Sequence, residues 1–283
     1  MPDPNYKSHL DQAPSRNAGV NFNYAWNAAN HEWSPMLLSR NESIANQAQH
    51  IVQKFGRDPN VTNGASSSTP EIIADVGTTS YTYPWLSNAG QNVKVFIGNP
   101  NDVGKKITVI GLDENFLEQT IELTLVSQMT AGVTWSPTWT RIYRAYNSTT
   151  TEDNTNPDLE GWISFRNTAN EAIAYIYPDN NQTMMGLYTV PDNYTGYLLS
   201  YTAGVGIGGN SSSVSMEINL KTRLFNQAHR VRESIQLSSD TGTYSRTFTQ
   251  PIELPPRTDV YFDVTDCNHN AAKSSINFDI ALL

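Results

Sequence analysis

With a single cysteine, Cys267, in 283 residues, the chain can form no internal disulfide, so packing and hydrogen bonds alone must hold the fold. Charge is scarce too: 16% of residues are Asp, Glu, Lys or Arg, against about 25% in ordinary globular chains. Asn, Ser and Thr fill the gap, and they favour turns and strand surfaces over helix interiors. No part of the chain is basic. Residues 1–90 sum to −2, 91–188 to −5 and 189–283 to −2, within a net −9, so nucleic acid is not an expected partner. No apolar run approaches the about 18 residues of a membrane span, and no membrane partner is expected. The opening Met1–Leu10 lacks the apolar core of a secretory signal, so synthesis in a cytoplasm is expected.

Catalytic patterns are missing as well. There is no G-x-S-x-G elbow, no Walker loop and no HExxH. His9, His31, His50, His229 and His269 show no metal spacing, and Cys267 with His269 in DCNHN reads as a surface turn. Gly204, Gly206 and Gly209 spell G-x-G-x-x-G, but no helix follows to meet a pyrophosphate, so they belong to a strand connection. The carboxylate pairs Glu118/Glu122 and Asp259/Asp263 lie four apart on predicted strands. That places them about 13 Å apart, beyond the ~5–9.5 Å of a glycosidase dyad, and they read as solvated faces. No catalytic residue, cofactor or metal is expected.

What the chain does contain is β pattern. The predicted fold is mainly β: two antiparallel β-sandwich or jelly-roll-like units, 91–188 and 189–283, behind an extended N-terminal arm, 1–90, with one helix. In the first unit, KKITVIGL and LEQTIELTLV flank DENF as a hairpin with Ile107, Val109, Leu112, Ile121, Leu123 and Leu125 on one face. In the second, strands recur about every ten residues with turn signals between. In the arm, VNFNYAW and EWSPMLL read as extended pieces around NAANH. Ser39 with Glu42 suggests a capping box, and Ile44, Ala45, Ala48, Ile51, Val52 and Phe55 recur at helical spacing, so an amphipathic helix is predicted over about 42–55.

Aromatic and apolar residues in a segment too small for its own core serve best as docking anchors. Phe22, Tyr24, Trp26, Trp33, Ile44, Ile51, Phe55 and Trp85 are therefore the expected assembly contacts. Sugar stacking on exposed Trp is the second reading of the aromatics. Trp162, alternating with Ile163 and Ser164, fits an ordinary strand.

The segments ITVIGLDENFLEQTIELTL, RIYRAY, NQTMMGLYTVPDNYTGYLLSYTAGV, SVSMEINLKTR, IELPPRTDVYFDVT and SSINFDIALL resemble a family of virion structural proteins of tailed phages, marine ones especially. The resemblance covers roughly 93–283 and departs at Asp192-Asn193-Tyr194, where members carry a Gly/Lys-type turn. It implies a non-enzymatic particle protein, made in the host cytoplasm and located in the virion. Its partners would be other virion proteins, of capsid or tail, and copies of itself. By analogy with small β modules that carry docking arms, a head-associated role as a decoration or minor capsid protein is expected. The alternative is a tail or adsorption protein whose β-sandwich binds host polysaccharide.

Overall fold

The computed structural model describes residues 24–27, 32–35, 44, 48–62, 69–77, 81–207, 213–240, 242–269 and 272–283. These residues are mainly antiparallel β. Four strands precede residue 81: β1 (Tyr24–Asn27), β2 (Glu32–Pro35), β3 (His50–Val61) and β4 (Glu71–Ile72). Seven follow: β5 (Gln91–Ile97), β6 (Lys106–Leu112), β7 (Glu118–Thr124), β8 (Val133–Trp139), β9 (Arg141–Asn147), β10 (Ile163–Arg166) and β11 (Ala172–Ile176). The last seven are β12 (Leu187–Thr189), β13 (Gly196–Ile207), β14 (Ser215–Arg223), β15 (Arg230–Ser238), β16 (Thr243–Leu254), β17 (Asp259–Cys267) and β18 (Ala272–Leu282).

Two sheets form the body. One has the order β16-β13-β18-β3; the other has β17-β14-β15, with both β4 and β12 pairing on the free side of β17. Period-two alternation gives each sheet an apolar inner face. Those faces meet: the Tyr201 ring of β13 lies 5.1 Å from Phe262 of β17, and Phe262 lies 5.4 Å from Phe278 of β18. The chain changes sheet at almost every connection. In order β3, β4, β13, β14, β15, β16, β17, β18, only the β14–β15 hairpin stays within one sheet.

Residues 81–185 are inserted between β4 and β12 as a lobe of two sheets, β11-β10-β5-β8 and β7-β6-β9. The expected hairpin is there. Ile107 pairs with Leu123 and Val109 with Ile121, while Ile107, Val109, Leu112, Leu123 and Leu125 are buried.

The helix predicted over 42–55 is corrected. Residues 50–55 are strand, the first half of β3. Val52, Lys54, Gly56 and Asp58 turn toward the molecule, and Ile51, Gln53 and Phe55 turn away. The helical spacing of Ile51, Val52 and Phe55 is a weak local preference, and the unmet backbone groups of β18 override it. β3 pairs with β18 from Leu282↔His50 to Ala272↔Val61, with a register shift at Pro59-Asn60 that an edge strand tolerates. Of the rest of that helix, Ile44 has helical backbone and its carbonyl accepts from the Ala48 amide at 3.0 Å; the other residues of 42–47 lie outside the described residues. The arm boundary at residue 90 moves accordingly, since β3 and β4 are body strands.

Gly56 of β3 shows how closely the lobe's return is seated. A Cβ there would stand 2.2 Å from the Gly186 nitrogen and 2.8 Å from the Ile73 oxygen, both backbone. Gly56→Ala is expected to cost about 1–3 kcal/mol by overpacking, read as a lowered urea midpoint at unchanged m-value.

Two charges on the inner side of β3 tie stability to pH. Burial, reinforced by Arg144, brings Lys54 down to about 7 from its ordinary 10.5, with its ammonium donating to the Tyr143 carbonyl. Burial, against the Asn60 amide and with Glu71 and Asp75 nearby, raises Asp58 to about 7 from 3.8. Between about pH 4 and 7 the folded chain keeps an Asp58 proton that the unfolded chain has lost, so this group's contribution falls as pH rises. Between about 7 and 10.5 folded Lys54 has lost a proton the unfolded chain keeps, so stability rises again. Asp58→Asn is expected to flatten the acid limb and Lys54→Met the alkaline limb of wild-type stability against pH, in denaturant melts.

Candidate functional site

The lobe lies on the outer face of the β17 sheet, which determines where charge can sit. On β17, Val260, Phe262 and Val264 face the other body sheet, while Asp259, Tyr261 and Asp263 face outward. Yet all six are buried, because the lobe, with its first residues Tyr81–Leu86, covers that side. Asp259 is the main joint. Its carboxylate accepts from Arg141 of β9 (Nε 3.0 Å, Nη2 3.3 Å), from Arg223 of β14 (Nε 2.8 Å, Nη2 2.5 Å) and from the Thr189 hydroxyl at 2.6 Å. Asp263 pairs with Lys221 at 2.6 Å. The expectation that Asp259 and Asp263 are a solvated face is therefore corrected.

Beside Asp259 is a cleft of 290 Å³ walled by Trp85, Arg141, Arg223, Phe225 and Arg257. Each guanidinium is already engaged. Arg223 lies 3.9 Å over the Trp85 ring, and Arg257 lies 5.0 Å over Phe225 while binding Asp192 at 2.6 and 2.9 Å. That bond holds the Asp192 carboxyl below its ordinary range. His229 Nδ1 sits 2.7 Å from the Tyr261 hydroxyl, and burial, with Arg223, lowers the imidazole. Cation, carboxylate and ring satisfy one another here, and Lys221, opposite Tyr261 and near the imidazole, is itself paired with Asp263. The arrangement is chemically a joint. Elsewhere, Cys267 is buried, with its thiol directed at the His269 carbonyl, and among the described residues no three His, Cys, Asp or Glu side chains converge as metal ligands.

The expected assembly contacts separate into groups. Trp85 is half-buried in the joint. Ile44 is buried against Leu199 and Ala281 on the outer face of the β3 sheet. Leu199 stands at the register shift of β13, which turns it outward to meet Ile44. Ile51 and Phe55 lie on the outward side of β3, an edge strand of its sheet, 52% and 39% exposed. Tyr24, Trp26 and Trp33 belong to the β1–β2 hairpin, in which Trp26 is opposite Trp33. Phe22 lies outside the described residues.

Sequence reasoning missed the Asp259 joint. Its partners are 118 and 36 residues away along the chain, and the only local sign is that two of the three carboxylates of DVYFDVTDC alternate with the apolar Val260, Phe262 and Val264.

No family model matches the chain, and neither does any curated protein. Among solved structures, the crystal structure of the infectious bursal disease virus VP2 subviral particle aligns at 9% identity, over 83% of this chain and 72% of that one, with a TM-score of 0.20. The structure of the infectious bursal disease virus Gt strain aligns over the same shares at 9% identity and a TM-score of 0.16. At such scores the superposition defines no shared fold.

Asp259→Ala leaves two buried guanidiniums without their anion. The expected loss is about 3–5 kcal/mol, measured by denaturant unfolding, and a near-UV signal from Trp85 that changes more than the far-UV signal.

Proposed function

We propose that this chain is a non-enzymatic virion structural subunit, head-associated as a decoration or minor capsid protein, whose body is a jelly roll. The observation that carries the reading is the strand order. Eight of the nine strands in the two facing sheets, ordered β3-β18-β13-β16 and β4-β17-β14-β15 with almost every connection crossing between them, support the jelly-roll reading, with β12 an added partner of β17. Jelly rolls build viral shells among other things, so the link from fold to role is analogy. The sequence resemblance to tailed-phage virion proteins adds to it.

The second support is the outer strip of β3. A long edge strand with exposed Ile51 and Phe55 is a surface that soluble monomers avoid, and a neighbouring subunit covers it best. The N-terminal arm leads straight into this strip. In the proposed particle, arm and edge together fasten the subunit to other virion proteins and to its own copies.

A tail or adsorption role with host polysaccharide as partner is the second reading. The observation favouring it is the half-exposed Trp162 on the lobe.

Gold-labelled antibody against the chain is expected to decorate the heads of intact particles. Label confined to tails favours the second reading, and particles without the protein contradict both. Ile51→Asp with Phe55→Asp changes only exposed side chains, so the variant is expected to fold normally yet enter particles at less than half the wild-type copy number.

A further inference from the structure

The sheet β11-β10-β5-β8 buries one face in the core and presents the other outward. On β10, Ile163 and Phe165 are fully buried, whereas Arg166 and the preceding Trp162 are half-exposed on the outer side. Trp162 lies across Gly98, at the end of β5. A Cβ on that glycine would stand 2.6 Å from the indole Nε1 and 2.7 Å from both Cδ1 and Cε2. Three atoms of the five-membered ring at equal distance mean that the indole lies face down on the glycine, with its other face turned from the sheet. Absence of a side chain at Gly98 is what lets it lie flat.

A second ring stacks offset against the first and makes a step in this floor. Tyr175 of β11 is opposite Ser164 in register. Its ring plane is 22° from that of Trp162, with centroids 5.6 Å apart, too far for the rings to eclipse one another. Gly77 and Thr82 stand along the groove, and Arg166, Asn170 and Glu171 bring polar groups to it. The Arg166 Nε donates to the Ser164 hydroxyl at 3.2 Å and its guanidinium lies 4.8 Å over the Phe96 ring; among the described residues no carboxylate pairs with it. The space is 560 Å³, within the about 300–1,000 Å³ of small-molecule sites.

We propose that this groove binds a saccharide, with the C–H face of one pyranose ring laid on Trp162 and Tyr175 and its hydroxyls met by Arg166, Asn170 and Glu171. The negative face of an aromatic ring attracts the polarised C–H bonds of a sugar. A hydroxyl needs both a donor and an acceptor, and the groove offers guanidinium donors, a carboxylate acceptor and an amide that is both. A ligand with one apolar face and a polar edge matches a flat aromatic floor with a polar rim. Stacked nucleobases match the floor equally, but their phosphates would face Glu171 on a chain of net charge −9. The site gives chemical content to the polysaccharide reading. It is tested on the isolated chain, so its failure leaves the virion role standing.

The experiment is titration of the full chain with maltohexaose, chitohexaose and an alginate hexasaccharide, followed by calorimetry and tryptophan emission. At least one is expected to bind saturably. Trp162→Ala is expected to weaken that binding about tenfold or more, ~1.4 kcal/mol, with unchanged circular dichroism and melting, because the ring is half-exposed. Gly98→Ala keeps every binding group but lifts the indole, and is expected to weaken binding as well. Arg166→Gln is expected to reduce alginate binding more than maltohexaose binding. The proposal is overturned if none of the three binds, or if binding survives both Trp162→Ala and Gly98→Ala. It is also overturned if oligothymidylate binds more tightly than every saccharide.

Discussion

The pairing of β3 with β18 is the constraint on which the rest of the architecture depends. It joins a segment near residue 50 to the last strand of the chain. Once those two run side by side, β4 and β12 to β17 have to close on the same core, and residues 81–185 have to leave the body and return to it. The lobe does so between β4 and β12, and its return is seated where Gly56 and Gly186 meet without side chains. Long-range closure of this kind carries a large entropy cost, which only a core shared by both sheets offsets. Rings from β13, β17 and β18 supply the centre of that core.

The lobe changes the chemistry of the sheet it covers. An outward face of a β-sheet normally meets water and takes charge freely. Here the outer side of β17 is covered, so Asp259 and Asp263 need partners, and Arg141, Arg223 and Lys221 provide them. A buried ion pair adds little net stability against an apolar pair of the same shape, but it penalises any docking in which the charges fail to meet. That makes the joint a device for orientation. The lobe can sit in one way, with the Arg141 fork on Asp259 and Tyr83 donating its hydroxyl to the Ile142 carbonyl.

Much of the strand content was legible in the sequence, because alternation along β6, β7, β14 and β18 is local, and β7 and β18 each keep one face partly wet. The segment 42–55 was misread for a physical reason. Ile51, Val52 and Phe55 satisfy a helical stripe, and the competing demand, the open edge of β18, lies more than 200 residues away along the chain. The arm boundary was lost with it. Asp259 and Asp263 were misread because their spacing is that of an ordinary solvated strand face, and nothing local reports that a lobe covers it. Trp162 was expected within a strand but stands just before β10, and its setting depends on Gly98, whose missing side chain lets the ring lie flat. Among the expected assembly contacts, Ile51 and Phe55 lie open at the surface, while Ile44 and Trp85 are occupied within the chain.

The chain has a body closed by β3, a lobe locked on one side, and Ile51 and Phe55 exposed on the outward face of β3. The central claim is that residues 50–61 are a strand of the body. Native-state hydrogen exchange of the full chain tests it most directly. Amides of β3 bonded to β18 are expected to exchange only with the opening that releases β13 and β18. Exchange of 50–61 at the rate of an unstructured peptide, while β13 stays protected, would contradict the account.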